Sequence, residues 1–316
     1  MTHLPLPIPD RDVSGQSFGD PAADLAAARY DTLETHLDQP SAAFWAWMRP
    51  GPKPCFTIDL LSDILAQQAL LRGALAPTRG PHTPLPARWY VMGSRIPGIF
   101  NLGGDLGHFA EKIRARDLAA LRRYGHLCVE AIHGNSEAFQ APAVTIALVQ
   151  GDALGGGFEC ALAFDVIVAE RSAKFGLPEI LFNLFPGMGA YSFLSRRVGP
   201  VQAERMITSG RLYSAEELHT LGLVDVLAED GKGEAAVRDY IDRNDRKHNA
   251  LQAIFRARRR ANPVTLAELR DIVEIWSETA LGVSDLDIRK MLRLTAAQEK
   301  RLSQAAEAPP LTQAAE

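Results

Sequence analysis

GDALGGGFECALAFDVIVAERSAKFGLPEILFNLFPGMG, residues 151–189, is the stretch from which the rest of the chain is read. It carries a glycine triplet, Gly155, Gly156 and Gly157, then Glu159, and further on a second carboxylate, Glu179, behind Pro178. Glycine lets backbone approach a ligand closely, and the first amides of a helix have no partner within it. Such amides aim partial positive charge at whatever docks and can hold a developing oxyanion. Two carboxylates on different segments beside that oxyanion can supply an acid and a base. The stretch predicts a reaction centre, provided the fold brings Glu159 and Glu179 together.

The segments around it read as alternating strands and helices. VTIALV (144–149) and VIVA (166–169) are continuous apolar runs of strand length, expected to be covered on both faces, with a glycine turn at 151–157 and a helix at 158–164 between them. AFWAWM (43–48), WYVM (89–92) and residues 174–175 read as further strands, and leucine spacing predicts a helix over 58–75. Residues 24–38 fit either a helix or a first strand built on Tyr30, Leu33 and Leu37. A second strand-to-helix junction lies at Gly103 and Gly104, before a helix opened by Asp105 and expected to run from about 107 to 139. Beyond Gly189, helices over 190–198, 200–208 and 215–221 stop at Gly199, Gly210 and Gly222, and 223–227 forms a last strand. From 234 the chain reads as charged helices, one opened by Pro263 and one by Asp285. This alternation predicts an α/β layered core.

The whole chain sets the limits. Its 316 residues carry 34 basic and 38 acidic side chains, net −4, which gives no basis for nucleic-acid binding or a polybasic membrane anchor. Three scattered cysteines, Cys55, Cys128 and Cys160, argue against a disulfide framework or a zinc site and read as buried thiols. The first residues have neither the basic nor the apolar region of a secretory signal, and no window reaches spanning length, so a cytoplasmic, soluble protein with no membrane insertion is expected. Expected domains are a flexible tail at 1–22, a core at 23–230, a helical region at 231–305 and a second tail at 306–316, with 77–86 a loop.

At this point the residues resemble the crotonase superfamily, also called enoyl-CoA hydratase/isomerase. The resemblance covers about 89–227 and rests on seven blocks in family order: GGDL (103–106), GDALGGGFE (151–159), FD (164–165), AKFGLPEI (173–180), PGMG (186–189), SGRLYSAEEL (209–218) and GLVDVL (222–227). Within the superfamily, FNLGGDL (100–106) and FGLPEILFNLFPGMGAYSFLSR (175–196) look like the branch that synthesises diffusible signal factors, which are cis-2-unsaturated fatty acids made from acyl carrier protein thioesters. The resemblance implies a ββα spiral core with a C-terminal helical region that covers the acyl pocket and mediates assembly into a homotrimer or a dimer of trimers.

Carried over by motif, Gly156 supplies one oxyanion-hole N–H and Leu102, or Gly103 if the register differs by one, supplies the other. Glu159 and Glu179 occupy the positions of the hydratases' two glutamates, and Met188, Trp276 and Leu294 are candidates for the acyl pocket. No cofactor or metal is implied. The reading that follows is a dehydratase and thioesterase that takes 3-hydroxyacyl thioesters of a carrier protein or CoA and releases a 2-unsaturated fatty acid signal. Two alternatives stand beside it: an enoyl-CoA hydratase of fatty-acid metabolism, and a regulatory protein that acts through a sensor partner. On plainer grounds, Asp105 and Asp165 read as helix caps, Phe182, Leu184 and Phe185 as core, and RARRR (256–260) as a solvated helix face or a dock for an acidic carrier or CoA phosphates.

Overall fold

The computed structural model describes residues 20–76 and 85–307, with side chains to 297. Most of the expected tails at 1–22 and 306–316, and most of the 77–86 loop, lie outside the described residues. In chain order the elements are α1 (Pro21–Ala27), β1 (Leu33–Asp38), β2 (Ala43–Met48), α2 (Ile58–Ala74), β3 (Trp89–Ser94), β4 (Ile99–Asn101), α3 (Leu106–Arg114) and α4 (Leu118–Ser136). There follow β5 (Val144–Val149), β6 (Asp152–Leu154), α5 (Gly156–Leu162), β7 (Val166–Glu170), β8 (Lys174–Gly176), α6 (Ala190–Val198), α7 (Pro200–Ser209), β9 (Leu212–Ser214), α8 (Ala215–Thr220) and β10 (Val226–Ala228). The last four are α9 (Gly233–Asn244), α10 (His248–Ala261), α11 (Leu266–Ala280) and α12 (Asp285–Glu307).

The strands form two sheets. The larger has the order β1-β2-β3-β5-β7-β10 and the smaller β4-β6-β8-β9. Pairing is parallel except at two edges, where β1 runs antiparallel to β2 and β9 to β8. Successive turns of chain place one strand in each sheet: β3 then β4, β5 then β6, β7 then β8. This ββα spiral is the α/β architecture expected. The inner strands of the larger sheet, β2, β3, β5 and β7, bury both faces, which is why they are largely apolar rather than alternating, whereas the edge strand β1 alternates. Phe44, Tyr90, Met92 and Ile167 point into the main core, whereas Trp45, Trp89, Val91 and Ile146 point the other way, against Val237 and Ile241 of α9.

Several local expectations change. The 24–38 ambiguity resolves into both answers, a short helix capped by Asp20 and then strand β1. The single helix expected over 107–139 is two: α3 ends before Arg116, whose φ is 52°, and Asp117 caps α4. α11 is opened by Thr265, whose hydroxyl accepts from Glu268 N–H, and not by Pro263. The last strand falls at 226–228 rather than 223–227. Asp105 caps α3 as expected, but Asp165 is no cap. It is 2% exposed and accepts from Thr145 N–H, from Arg258 at 2.8 Å and from Arg259 at 2.6 Å. Of the RARRR run, Arg259 is tied inward to Asp165, while Arg258 pairs with the same carboxylate and stays exposed, as do Arg256 and Arg260. The three cysteines are buried, and none is in a disulfide among the described residues.

Candidate active site

α5 begins immediately after the β6 turn. Gly155, at φ 52°, takes the cap position, and the first helical bond runs from Glu159 N–H to Gly155 C=O at 3.0 Å. The N–H groups before Glu159 in the helix therefore have no intrahelical partner. Gly156 carries the first of them and lines a cavity. A side chain there would overlap Met188 Sδ, and one at Gly155 would lie 2.5 Å from Glu179 Oε1. The glycines thus keep open the space into which a ligand, Glu179 and Met188 fit.

On the facing side runs the segment 101–105. Leu102 N–H donates to Pro54 C=O at 2.8 Å, Gly103 N–H donates to Asn101 Oδ1 at 2.8 Å, and Asp105 N–H donates to Tyr124 Oη at 3.0 Å. Both donors expected from sequence, Leu102 and Gly103, are consequently engaged elsewhere. Gly104, next along, lines the cavity, and its N–H donates to no group among the described residues. This corrects the placement of the second amide by one or two positions. The sequence signal that could have found it is adjacency to the capping Asp105, where the strand has ended and the helix has not begun. Leu102 still lines the cavity through its side chain.

Glu159 and Glu179 line the same cavity. Glu159 is 1% exposed, and its Oε1 accepts from Met188 N–H at 2.8 Å and Ala190 N–H at 2.9 Å, the latter at the start of α6. Burial pushes its carboxyl up to about 7 against the pull of these backbone donors. Glu179 sits at the N-terminal end of a 3-10 turn, Pro178–Phe182. Burial first, and the charge of Glu159 second, hold its carboxyl well above the usual range. Its Oε2 is buried with no hydrogen-bond partner among the described residues. The two environments split the roles: the donors around Glu159 favour a carboxylate, and the bare setting of Glu179 favours a carboxylic acid.

The cavity, about 260 Å³, extends away from the glutamates along apolar wall. Met188, Trp276 and Leu294 all line it, as do Phe182 and Leu184, whereas Phe185 does not. Trp276 comes from α11 and Leu294 from α12, and Trp276 packs edge-on against Phe109 of α3 with ring centroids 5.0 Å apart. Phe109, Tyr124, Gly125 and Cys128 were not anticipated from sequence. Tyr124 and Cys128 lie four residues apart on α4, so the helical period offered a signal that they share a face.

Residues 87–270 match the profile of the family described as enoyl-CoA hydratase/isomerase. Over 169 residues the chain is 36% identical to the mitochondrial methylglutaconyl-CoA hydratase of Rattus norvegicus, covering 49% of this chain and 47% of that protein. It is 38% identical over 169 residues to the 2,3-dehydroadipyl-CoA hydratase of Escherichia coli (strain K12), covering 53% and 63% respectively. The chain spans about half the length of the curated relatives it matches first. Among solved structures, Pseudomonas aeruginosa DspI superposes with TM-score 0.60 and 27% identity over 75% of this chain and 91% of that one. An enoyl-CoA hydratase from Bacillus halodurans superposes with TM-score 0.67 and 22% identity over 83% and 99%, a likeness of fold alone.

Proposed function

The chain belongs to the enoyl-CoA hydratase/isomerase family, and from that membership we propose that it adds or removes water across C2–C3 of an acyl thioester. The observation that carries this reading is the meeting of Glu159, Glu179, Gly156 and Gly104 on one cavity. Gly156 and Gly104 N–H hold the thioester oxygen and stabilise the enolate that forms when C2 loses or gains a proton. Loss of one such donor costs about 10²- to 10³-fold in rate. For water addition, Glu159 takes a proton from water as its oxygen bonds to C3, and Glu179 delivers its proton to C2. In the reverse direction Glu179 takes the C2 proton and Glu159 returns one to the departing C3 hydroxyl, with one proton shared by the pair throughout.

The finer reading is a dehydratase and thioesterase acting on 3-hydroxyacyl carrier-protein thioesters. It is supported by the FNLGGDL and PGMGAYSF blocks and by an apolar cavity suited to an alkyl chain. In the hydrolytic step, a glutamate-activated water attacks the thioester carbonyl, the amides hold the tetrahedral oxyanion, and the carbon–sulfur bond breaks to give free acid and thiol. Incubation with 3-hydroxydodecanoyl carrier protein, followed by mass spectrometry, is expected to yield free 2-dodecenoic acid. Appearance of the unsaturated thioester without free acid would remove the hydrolytic half and leave a hydratase.

A further inference from the structure

We propose that Asn101 is a positioning residue that sets the aim of the Gly104 N–H, through the hydrogen bond from Gly103 N–H to its side-chain oxygen. This rests on the thioester chemistry proposed above and adds a residue to it.

Asn101 is the last residue of β4. It is 1% exposed, and its Nδ2 lies 3.7 Å from Met48 Sδ, which leaves Oδ1 for Gly103 N–H. A side-chain oxygen that accepts from the N–H two residues on forms an Asx turn, a local device that replaces a backbone hydrogen bond and fixes the following peptides. It acts here where the chain most needs fixing. Gly103 has φ +94°, and a Cβ on it would lie 2.9 Å from Gly156 N, so the two amide-bearing segments pack tightly at this residue.

The next peptide joins Gly103 C=O to Gly104 N–H. Its carbonyl accepts from Phe56 N–H at 2.8 Å. In a planar trans peptide the N–H points opposite to the C=O, so anchoring that carbonyl on Phe56 turns Gly104 N–H away from Phe56. Asn101 holds the peptide before this one, Phe56 holds the peptide itself, and Tyr124 Oη, which also donates to Phe56 C=O, holds the peptide after it. With Leu102 N–H on Pro54 C=O, every N–H from 102 to 105 except that of Gly104 is engaged. Pro54, Phe56 and Tyr124 are anchors outside the segment, and Asn101 is the anchor within it.

The test compares Asn101→Ala and Asn101→Ser with the wild-type chain, using 2-dodecenoyl-CoA for turnover and cinnamoyl-CoA as a bound chromophore whose absorption red-shifts when its carbonyl is polarised. Asn101→Ala is expected to lower kcat about 10- to 100-fold, below the loss of a whole donor, with KM within about twofold and the red shift largely lost. Asn101→Ser retains a weaker acceptor and is expected to recover part of both, at about 3- to 10-fold below wild type. If Asn101→Ala does not fold, the serine variant carries the test alone. Wild-type kcat and red shift in either folded variant, or a change in KM alone, overturns the role of Asn101. Absence of turnover and of red shift in the wild-type chain overturns the thioester reading itself, and this inference with it.

Discussion

Glu159 and Glu179 are the same residue type made unlike by what surrounds them. Two backbone N–H groups hold Glu159 Oε1, whereas Glu179 Oε2 is buried without a partner among the described residues. A carboxyl held above its unfolded pKa is protonated in the fold while the unfolded chain has released its proton. Over that window the folded state binds more protons, so stability is full at acid pH and falls as pH rises toward the folded value. For Glu179, raised by burial and by Glu159, Glu179→Gln removes that penalty. The variant is expected to melt above wild type at pH 8, with the margin shrinking toward pH 5 at a slope of up to about 1.4 kcal/mol per pH unit. Melting curves at four pH values check it, and a margin independent of pH would show that Glu179 is ionised in the fold. At this scale the sequence was informative where chemistry belongs to a side chain or to the first amide of a helix: Glu159, Glu179 and Gly156 all reach the cavity. It was uninformative at Leu102, Gly103 and Gly104, because which peptide N–H is free depends on where the fold puts its acceptors, Pro54 C=O for Leu102 and the Asn101 side chain for Gly103.

Among elements, α10 shows how a charge run acquires a structural purpose. Arg258 and Arg259 reach Asp165 just before β7, and Arg259 Nε also donates to Ser136 C=O at 2.6 Å, tying α10 to the end of α4. Thr145 N–H and the Asp165 carboxylate link the same point to β5. Asp165→Asn leaves the 12%-exposed Arg259 side chain without its counter-charge. Removal of one partner from a buried pair costs about 3–5 kcal/mol, and the urea midpoint is expected to fall accordingly. A midpoint within experimental scatter of wild type would show that the cluster is solvated and holds nothing. α2 was legible because its apolar period repeats over 17 residues, and β5 because an unbroken apolar run of strand length marks a strand covered on both faces. In the smaller sheet, β4 and β8 were anticipated from the junction at Gly103 and from residues 174–175, whereas β6 and β9, three residues each, are too short to display a period. The break between α3 and α4 had a visible signal in Asp117, but the flanking apolar pattern ran across it.

Over the whole molecule, the spiral explains why one site draws on so much of the chain. Each turn returns a strand to both sheets, so the ends of β4 and β6 come together and their following segments face each other as Gly104 and Gly156. β8 leads into the turn that carries Glu179, and α11 and α12 fold back to close the apolar end with Trp276 and Leu294. No helix among the described residues is long and apolar enough to cross a membrane. The resemblance in sequence conveyed this plan, since its blocks are the turns of the spiral, while the shape of the acyl cavity depended on contacts between helices far apart in the chain. Paired action of Glu159 and Glu179 across C2 and C3 of a thioester, as proposed, is read out by incubating 2-dodecenoyl-CoA in deuterated, ¹⁸O-labelled water and following the product by mass spectrometry. Deuterium at C2 and ¹⁸O at C3 are expected with the wild-type chain, with a loss of about 10²- to 10⁴-fold in both for Glu159→Gln and for Glu179→Gln. Undiminished labelling in either folded variant, or none in the wild-type chain, would contradict paired action.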